Sequence, residues 1–336
     1  MSGKQINFLI STLIGIIFLY FWIRIVNWNE FIIYLSNFRI FPVLIFSIFY
    51  LLAYILRSYR WKIIMKPIKN VPFSQVYRIF MSGLLINFLI PVRAGEIVKS
   101  LILKKNFSIR ISRSLPTVFI DKLTDMFPIV LILVLFPLVT IQLNTTLYLI
   151  IFLIFLIYLL FLAFLYFSVK HQQKAINILN KLLIFVPRFS RKKLSDFFLN
   201  FVDGMAIMRG REKENLLIYT LTILAVLSEA VYIWVLFRSF GADIGYSRIL
   251  FGYTLMNLTY LLPTPPGQIG SNQFLWVMIF SFALGADKDL TSAAVTASHL
   301  LTSCLIFLIG MVSLYSLKLK PADIFSQNPE IKENID

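Results

Sequence analysis

The chain has 336 residues, 59% of them hydrophobic and 14% charged, whereas a soluble globular domain carries about 25% charged residues. With a mean hydropathy of +0.82 and no long polar stretch, it reads as an all-α polytopic membrane protein with no room for an independent soluble catalytic domain. The formal charge of +16 gathers at the ends of apolar runs, as the positive-inside rule and anionic headgroups require, so it is not read as a nucleic-acid footprint.

Six apolar runs are long enough to span a bilayer: 6–26, 41–57, 116–138, 147–169, 216–237 and 292–317. Roughly 20 residues are needed at a rise of about 1.5 Å each. The first run ends in Phe21, Trp22, Ile23 and Arg24 rather than in small residues, so it reads as a retained anchor and not as a cleaved signal.

Charge sets the sides. The stretch RSYRWKIIMKPIK (57–69) has five basic residues and no acid, and 104–113 has four basic residues and no acid. The loop 170–214 and the end beginning at Lys318 and Lys320 are also basic. These stretches are expected in the cytoplasm, together with both termini. The stretches 27–40, 142–146, 241–248 and 286–290 are nearly neutral and are expected outside. In the loop 170–214, AINILNKLLIF and LSDFFLNFV read as amphipathic helices on anionic lipid or against the bundle.

Residues 72–103 then begin and end on the basic side, and 249–285 on the neutral side. The simplest solution is two re-entrant helical hairpins dipping from opposite faces. Their tips read NFLIPVRAGEI (87–97) and NLTYLLPTPPGQIG (257–270). Asn87 and Asn257 each precede a P-x-x-x-G step, Pro91 to Gly95 and Pro263 to Gly267. Paired Pro/Gly breaks in two halves mark the substrate site of inverted-repeat transporters.

Pro91 removes a backbone donor, and Gly95 tolerates backbone that other residues resist. The chain is expected to turn there and restart a helix near Ala94. Irregular backbone at membrane depth must be buried in protein or line a wet cavity. Arg93 then sits at a helix N-terminus, the wrong end for a cation unless an anion joins it. That anion is Glu96 or a lipid phosphate, and Lys99 can pair with Glu96 at i, i+3. A plain Arg93–Glu96–Lys99 network without ligand is the alternative.

FIDKLTDMF (119–127) places Asp121 and Asp125 on one helix face with Lys122 beside them. Charges inside a span are costly and mark a functional interior. Arg110 and Arg113 precede them and could pair with them; the alternative to a functional interior is a span that simply begins near Met126. Glu229 lies mid-run with no cation nearby in sequence, so it needs a partner from another helix, or a proton.

LLPTPPGQIGSNQF (261–274) breaks the helix with Pro263, Pro265 and Pro266. Gly267 and Gly270 permit a tight reversal, and Ser271 is expected to cap the next helix. Asn272 and Gln273 can hydrogen-bond a headgroup without neutralising it. Cys304 is expected to be a small buried residue. His171 and His299 lack partners at metal spacing, and no nucleophile elbow, zinc motif or P-loop is present. No cofactor and no metal are expected.

At PVRAGEIVKSLILKKNFS (91–108), FIDKLTDMF and LPTPPGQIGSNQF the chain resembles the membrane region of lysylphosphatidylglycerol synthases. That region is a flippase-like domain, also found alone and attached to some glycosyltransferases. The resemblance covers roughly residues 6–317. It implies one flippase-like transmembrane domain (1–320) with a short polar tail (321–336), in the cell membrane. It implies an anionic phospholipid or a polyprenyl-linked lipid as partner, with a separate soluble synthase or glycosyltransferase as a further one. Two departures stand out. Asp121, Lys122 and Asp125 keep the family's charge signs on shorter side chains. Gln268 and Gln273 stand where a glycine and a glutamate are usual, which removes a carboxylate from that loop.

The expected architecture is therefore about six full spans plus two re-entrant hairpins in inverted repeats. Arg93, Glu96, Lys99, Asn272 and Gln273 would meet the headgroup. Asn87, Asp121, Lys122, Asp125, Glu229 and Asn257 would line the groove. A membrane enzyme with a metal on Asp121 and Asp125, and a scaffold for a soluble synthase, are the rival readings.

Overall fold

The computed structural model describes residues 3–90, 94–139, 145–171, 174, 177, 210–259 and 265–318. Among them every regular element is helical. The helices are α1 (Gly3–Ile25), α2 (Trp28–Ser36), α3 (Ile40–Met65), α4 (Phe73–Leu89), α5 (Ala94–Phe107), α6 (Ile111–Val139) and α7 (Thr145–Lys170). They continue with α8 (Glu212–Ser239), α9 (Tyr246–Thr259), α10 (Ser271–Trp276) and α11 (Lys288–Ser316). The wider winding of a π-helix carries the α10 segment on through Ala283.

Each of the six apolar runs falls within one helix, or within a residue of its end: α1, α3, α6, α7, α8 and α11. Among the described residues α3, α8 and α11 are long and apolar enough to cross a membrane. The pair α1 and α2 passes the same test only as one broken span, bent by 88°. Large apolar side chains such as Ile48, Leu216, Leu300 and Val312 stand on outward faces. A bilayer supplies the apolar surroundings that these faces need.

Local chemistry explains the ends. Asn27 turns the α1–α2 corner: its side chain accepts the Asn29 N–H at 3.2 Å, and its own N–H donates to Asp289 at 2.8 Å. Asp287 caps α11 by accepting the N–H groups of Asp289 and Leu290. Trp22 Nε1 donates to Ser292 at 3.2 Å, which fastens α1 to the start of α11.

The core lies where α3 packs along α8 and where α4 packs on α11 and α5. Small residues let the backbones approach, as membrane helix contacts require. Gly95 is the extreme case, since a Cβ there would lie 1.9 Å from the Gly83 carbonyl oxygen. Its role is therefore close approach of α4 and α5 inside a helix, not the backbone freedom expected of it. Phe237, Trp276 and Phe280 stack between α8 and the α10 segment, with centroids 5.0–6.2 Å apart.

Four expectations need correction. The stretch 27–40 contains helix α2 rather than only a loop. The basic stretch 57–69 is helical as far as Met65, because Trp61, Ile63, Ile64 and Met65 continue the buried face of α3. Cys304 is exposed on α11. Ser271 opens α10 instead of capping it, and Gly270 holds the cap position. Most of the loop 170–214 lies outside the described residues, including all of LSDFFLNFV and all of AINILNKLLIF but Asn177, as do Pro91, Arg93 and Pro263.

Candidate functional site

A cavity of about 800 Å³ lies among α3, α4, α5, α6, α7, α8, α9, the α10 segment and α11. Its wall is apolar for the most part, with Phe80, Leu84, Phe88, Ile129 and Ile233. Both short helical units reach it, the first through Asn87, Glu96 and Lys99 and the second through Asn257, Gln268 and Asn272. Four helices bring charge to or behind this wall.

Arg57 and Arg60 are one turn apart on α3. Arg57 Nη1 meets Glu229 of α8 at 2.7 Å, and its Nη2 donates to the Tyr253 hydroxyl at 3.2 Å. Tyr253 in turn donates to Glu229. Glu229 thus has the partner from another helix that its isolation in sequence demanded. Arg60 is fully buried. It donates through Nε and Nη2 to Asp121 Oδ1, at 2.8 and 2.7 Å, and through Nη1 to Asp125 Oδ1 at 2.7 Å. Thr222 of α8 and the Asp121 carbonyl accept further Arg60 hydrogens at 2.9 and 3.0 Å.

The network continues across α5. Lys122 meets Glu96 at 3.3 Å and Asp125 at 3.8 Å. Glu96 also accepts from Lys99 at 3.0 Å and from Asn87 at 3.0 Å. Lys99 is 2% exposed and lies against the Phe80 and Trp61 rings, at 4.1 and 5.6 Å from their centroids. Lys122, at 37%, is the most open charge of the set. The result is a continuous chain of charges: Lys99–Glu96–Lys122–Asp125–Arg57–Glu229, with Arg60 and Asp121 branching from Asp125.

The second unit is tied by neutral groups. The Gly270 N–H donates to Gln273 Oε1 at 2.9 Å, which leaves Gln273 Nε2 as donor to His299 Nδ1 at 3.0 Å. His299 Nε2 then donates to the Gly267 carbonyl at 2.8 Å. Acceptor at Nδ1 and donor at Nε2 together define a neutral imidazole. Gly267 and Gly270 have φ of 63° and 79°, the left-handed region where glycine belongs.

Most of the residues singled out in the sequence converge here. Asn87, Glu96, Lys99, Lys122, Asp125, Glu229, Asn257 and Asn272 all line the cavity. Asp121 lies behind the wall on Arg60, and Gln273 is engaged with Gly270 and His299. Pro265 and Pro266 open the tight turn that carries Gly267. The partners of the two aspartates are Arg57 and Arg60, not Arg110 and Arg113. Arg57, Arg60, Tyr253 and His299 were missed. A signal was present for the arginines: Arg57-x-x-Arg60 repeats within one turn, as Asp121-x-x-x-Asp125 does, inside an apolar stretch.

The model of the family described as the lysylphosphatidylglycerol synthase TM region matches residues 8–310. The chain belongs to this family. Its membership, with its apolar helices, makes it a multi-pass membrane protein built on a domain of the lysylphosphatidylglycerol synthase type. It is also similar to a UPF0104 membrane protein of Methanothermobacter thermautotrophicus, 24% identical over 271 residues, covering 76% of this chain and 79% of the relative. Within the family match, all four corners of the charge network (α3, α5, α6 and α8) are included.

Proposed function

We propose that this lysylphosphatidylglycerol synthase TM-region protein is a lipid flippase, moving the headgroup of an anionic phospholipid or lipid-linked sugar across the bilayer. The observation that carries the reading is the cavity itself. It is mostly apolar, yet it holds Glu96, Lys122, Asp125, Arg57 and Glu229 along one side. Charges inside a membrane domain mark a polar pathway. A headgroup phosphate would meet Lys122, assisted by Arg93, which precedes α5 in sequence, while acyl chains stay in lipid.

The two short units support re-entrant hairpins in an inverted repeat, within about six full spans and a single domain over 1–320. α5 and α9 have 14 residues each. At about 1.5 Å per residue that is roughly 21 Å, too short for a hydrocarbon core of about 30 Å. The basic stretches support cytoplasmic termini, by the positive-inside rule. A soluble synthase or glycosyltransferase would supply or use the lipid. The enzyme reading gains nothing from Asp121 and Asp125, since Arg60 already occupies the space between their carboxylates.

The test is transfer of fluorescent phosphatidylglycerol across proteoliposomes of the purified protein. Wild type is expected to equilibrate the leaflets, and Arg93→Ala and Lys122→Ala to slow this by about tenfold or more, the cost of one lost charge-assisted contact. Both variants should elute as folded protein. Normal transfer in both variants sinks the headgroup site.

A further inference from the structure

Asp121 has an asymmetric environment. Its Oδ1 takes two hydrogens from Arg60, whereas its Oδ2 is buried with no hydrogen-bond partner among the described residues. The side chain is 1% exposed. Every other carboxylate of the network escapes that condition: Glu96, Asp125 and Glu229 carry no buried, unpartnered oxygen. A buried anionic oxygen without a donor costs far more than a neutral one. A proton on Oδ2 removes the anion and leaves Oδ1 on Arg60. Ser100 Oγ, on the helix packed beside α6, is likewise buried and without a partner among the described residues.

The charge balance gives that proton a consequence. Four cations (Arg57, Arg60, Lys99, Lys122) face four carboxylates (Glu96, Asp121, Asp125, Glu229) in the described network. One proton on Asp121 leaves one positive charge unmatched. Arg60 then leans on Asp125, its remaining carboxylate, and Asp125 is the partner that Arg60 shares with Arg57 and Lys122. Competition for Asp125 passes the surplus charge to Lys122, at the cavity wall.

We propose that Asp121 is a proton-binding site coupled to the cavity, so that a proton and an anionic headgroup bind together. This rests on the reading of the cavity as a headgroup site. The proton comes from water and turns the Asp121 carboxylate into a carboxylic acid, with no other bond changed. The charged and titratable groups around it are Arg57 and Arg60 from α3, Glu96 and Lys99 from α5, and Lys122 and Asp125 from α6 itself. Tyr158 of α7, Glu229 of α8 and Tyr253 of α9 line the same cavity. Linkage is reciprocal, so headgroup binding must also favour the proton.

The experiment is titration calorimetry of short-chain phosphatidylglycerol into the full-length protein in nanodiscs. It is run in two buffers of different ionisation enthalpy, with phosphatidylcholine as control. Wild type should take up about one proton per phosphatidylglycerol, and affinity should rise by up to about tenfold per unit fall in pH. Asp121→Asn should bind the lipid with no proton uptake and little pH dependence. Should that variant fail to fold, Asp121→Glu must keep the uptake and move its pH midpoint. Binding without proton uptake in wild type overturns the coupling alone, as does uptake unchanged in Asp121→Asn or an unmoved midpoint in Asp121→Glu. A wild type that binds no phosphatidylglycerol at any pH overturns the headgroup site and the coupling with it.

Discussion

The two short helical units solve one problem with different chemistry. In each, an amide side chain holds the backbone where the helix restarts. Asn87 Oδ1 accepts the Gly95 N–H at 2.8 Å, and Gln273 Oε1 accepts the Gly270 N–H at 2.9 Å. Beyond that they part. The amide nitrogen of Asn87 reaches Glu96 and so joins the ion pairs, whereas that of Gln273 reaches a neutral imidazole. One side of the cavity is therefore stabilised by charge, which other charge can compete for. The other side is stabilised by neutral hydrogen bonds, which an anion does not disturb. A moving headgroup would rearrange the first side and slide along the second.

Removing Arg60 should do the most damage to this division. Arg60→Ala leaves Asp121 and Asp125 without their shared cation in a buried site, at a cost of roughly 3–5 kcal/mol. Thermal unfolding in detergent should show a large loss. Adding Asp121→Asn to Arg60→Ala should recover part of it, because one orphaned charge is then gone. No recovery would mean that Arg60 acts through packing rather than charge.

Gly95→Val comes next. Its side chain would start 1.9 Å from the Gly83 carbonyl oxygen and must push α5 off α4, costing roughly 1–3 kcal/mol. The same unfolding measurement should report it. The shift should also weaken the Asn87–Gly95 bond, which amide hydrogen exchange at Gly95 would reveal. Unchanged exchange and stability would remove the close contact as an explanation for this glycine.

The mildest effect is expected in the neutral unit. Gln273→Leu strips a partner from the Gly270 N–H and from His299 Nδ1, at roughly 1–3 kcal/mol, less where water replaces the amide. The comparison predicts that this loss is insensitive to salt, since no ion pair is involved. A salt-dependent loss would place the second unit in the electrostatic network after all.

Much of this arrangement could be read from the chain. Apolar runs of bilayer-spanning length fall within helices or within a residue of their ends, because lipid leaves the backbone few alternatives. The ends of α4 at Leu89 and of α9 at Thr259 were visible as Pro91 and Pro263 shortly after them in apolar surroundings. Glu229 announced a missing partner. Arg57 and Arg60 were harder. Charge counting assigns basic residues to the cytoplasmic surface, and that rule is blind to a cation that folds back onto a carboxylate 61 residues away. His299 was opaque for a different reason. A lone histidine shows nothing in sequence until a turn and an amide from another segment close around it.

The corner at Asn27 carries one more consequence, in time rather than in space. Trp22 bonds Ser292, a partner 270 residues later in the chain. A Cβ on Gly15 would lie 2.6 Å from Pro265, so the same helix is also shaped for the second unit. Synthesis runs at about 5–20 residues per second, so α1 waits roughly a quarter of a minute to a minute before its partners exist. During that interval the Gly15 face lacks Pro265 and the Trp22 N–H lacks Ser292, although the Trp22 ring already has Trp28 and Phe31 beside it. α1 is therefore locked late, and a cell making this protein must shelter it until α11 arrives.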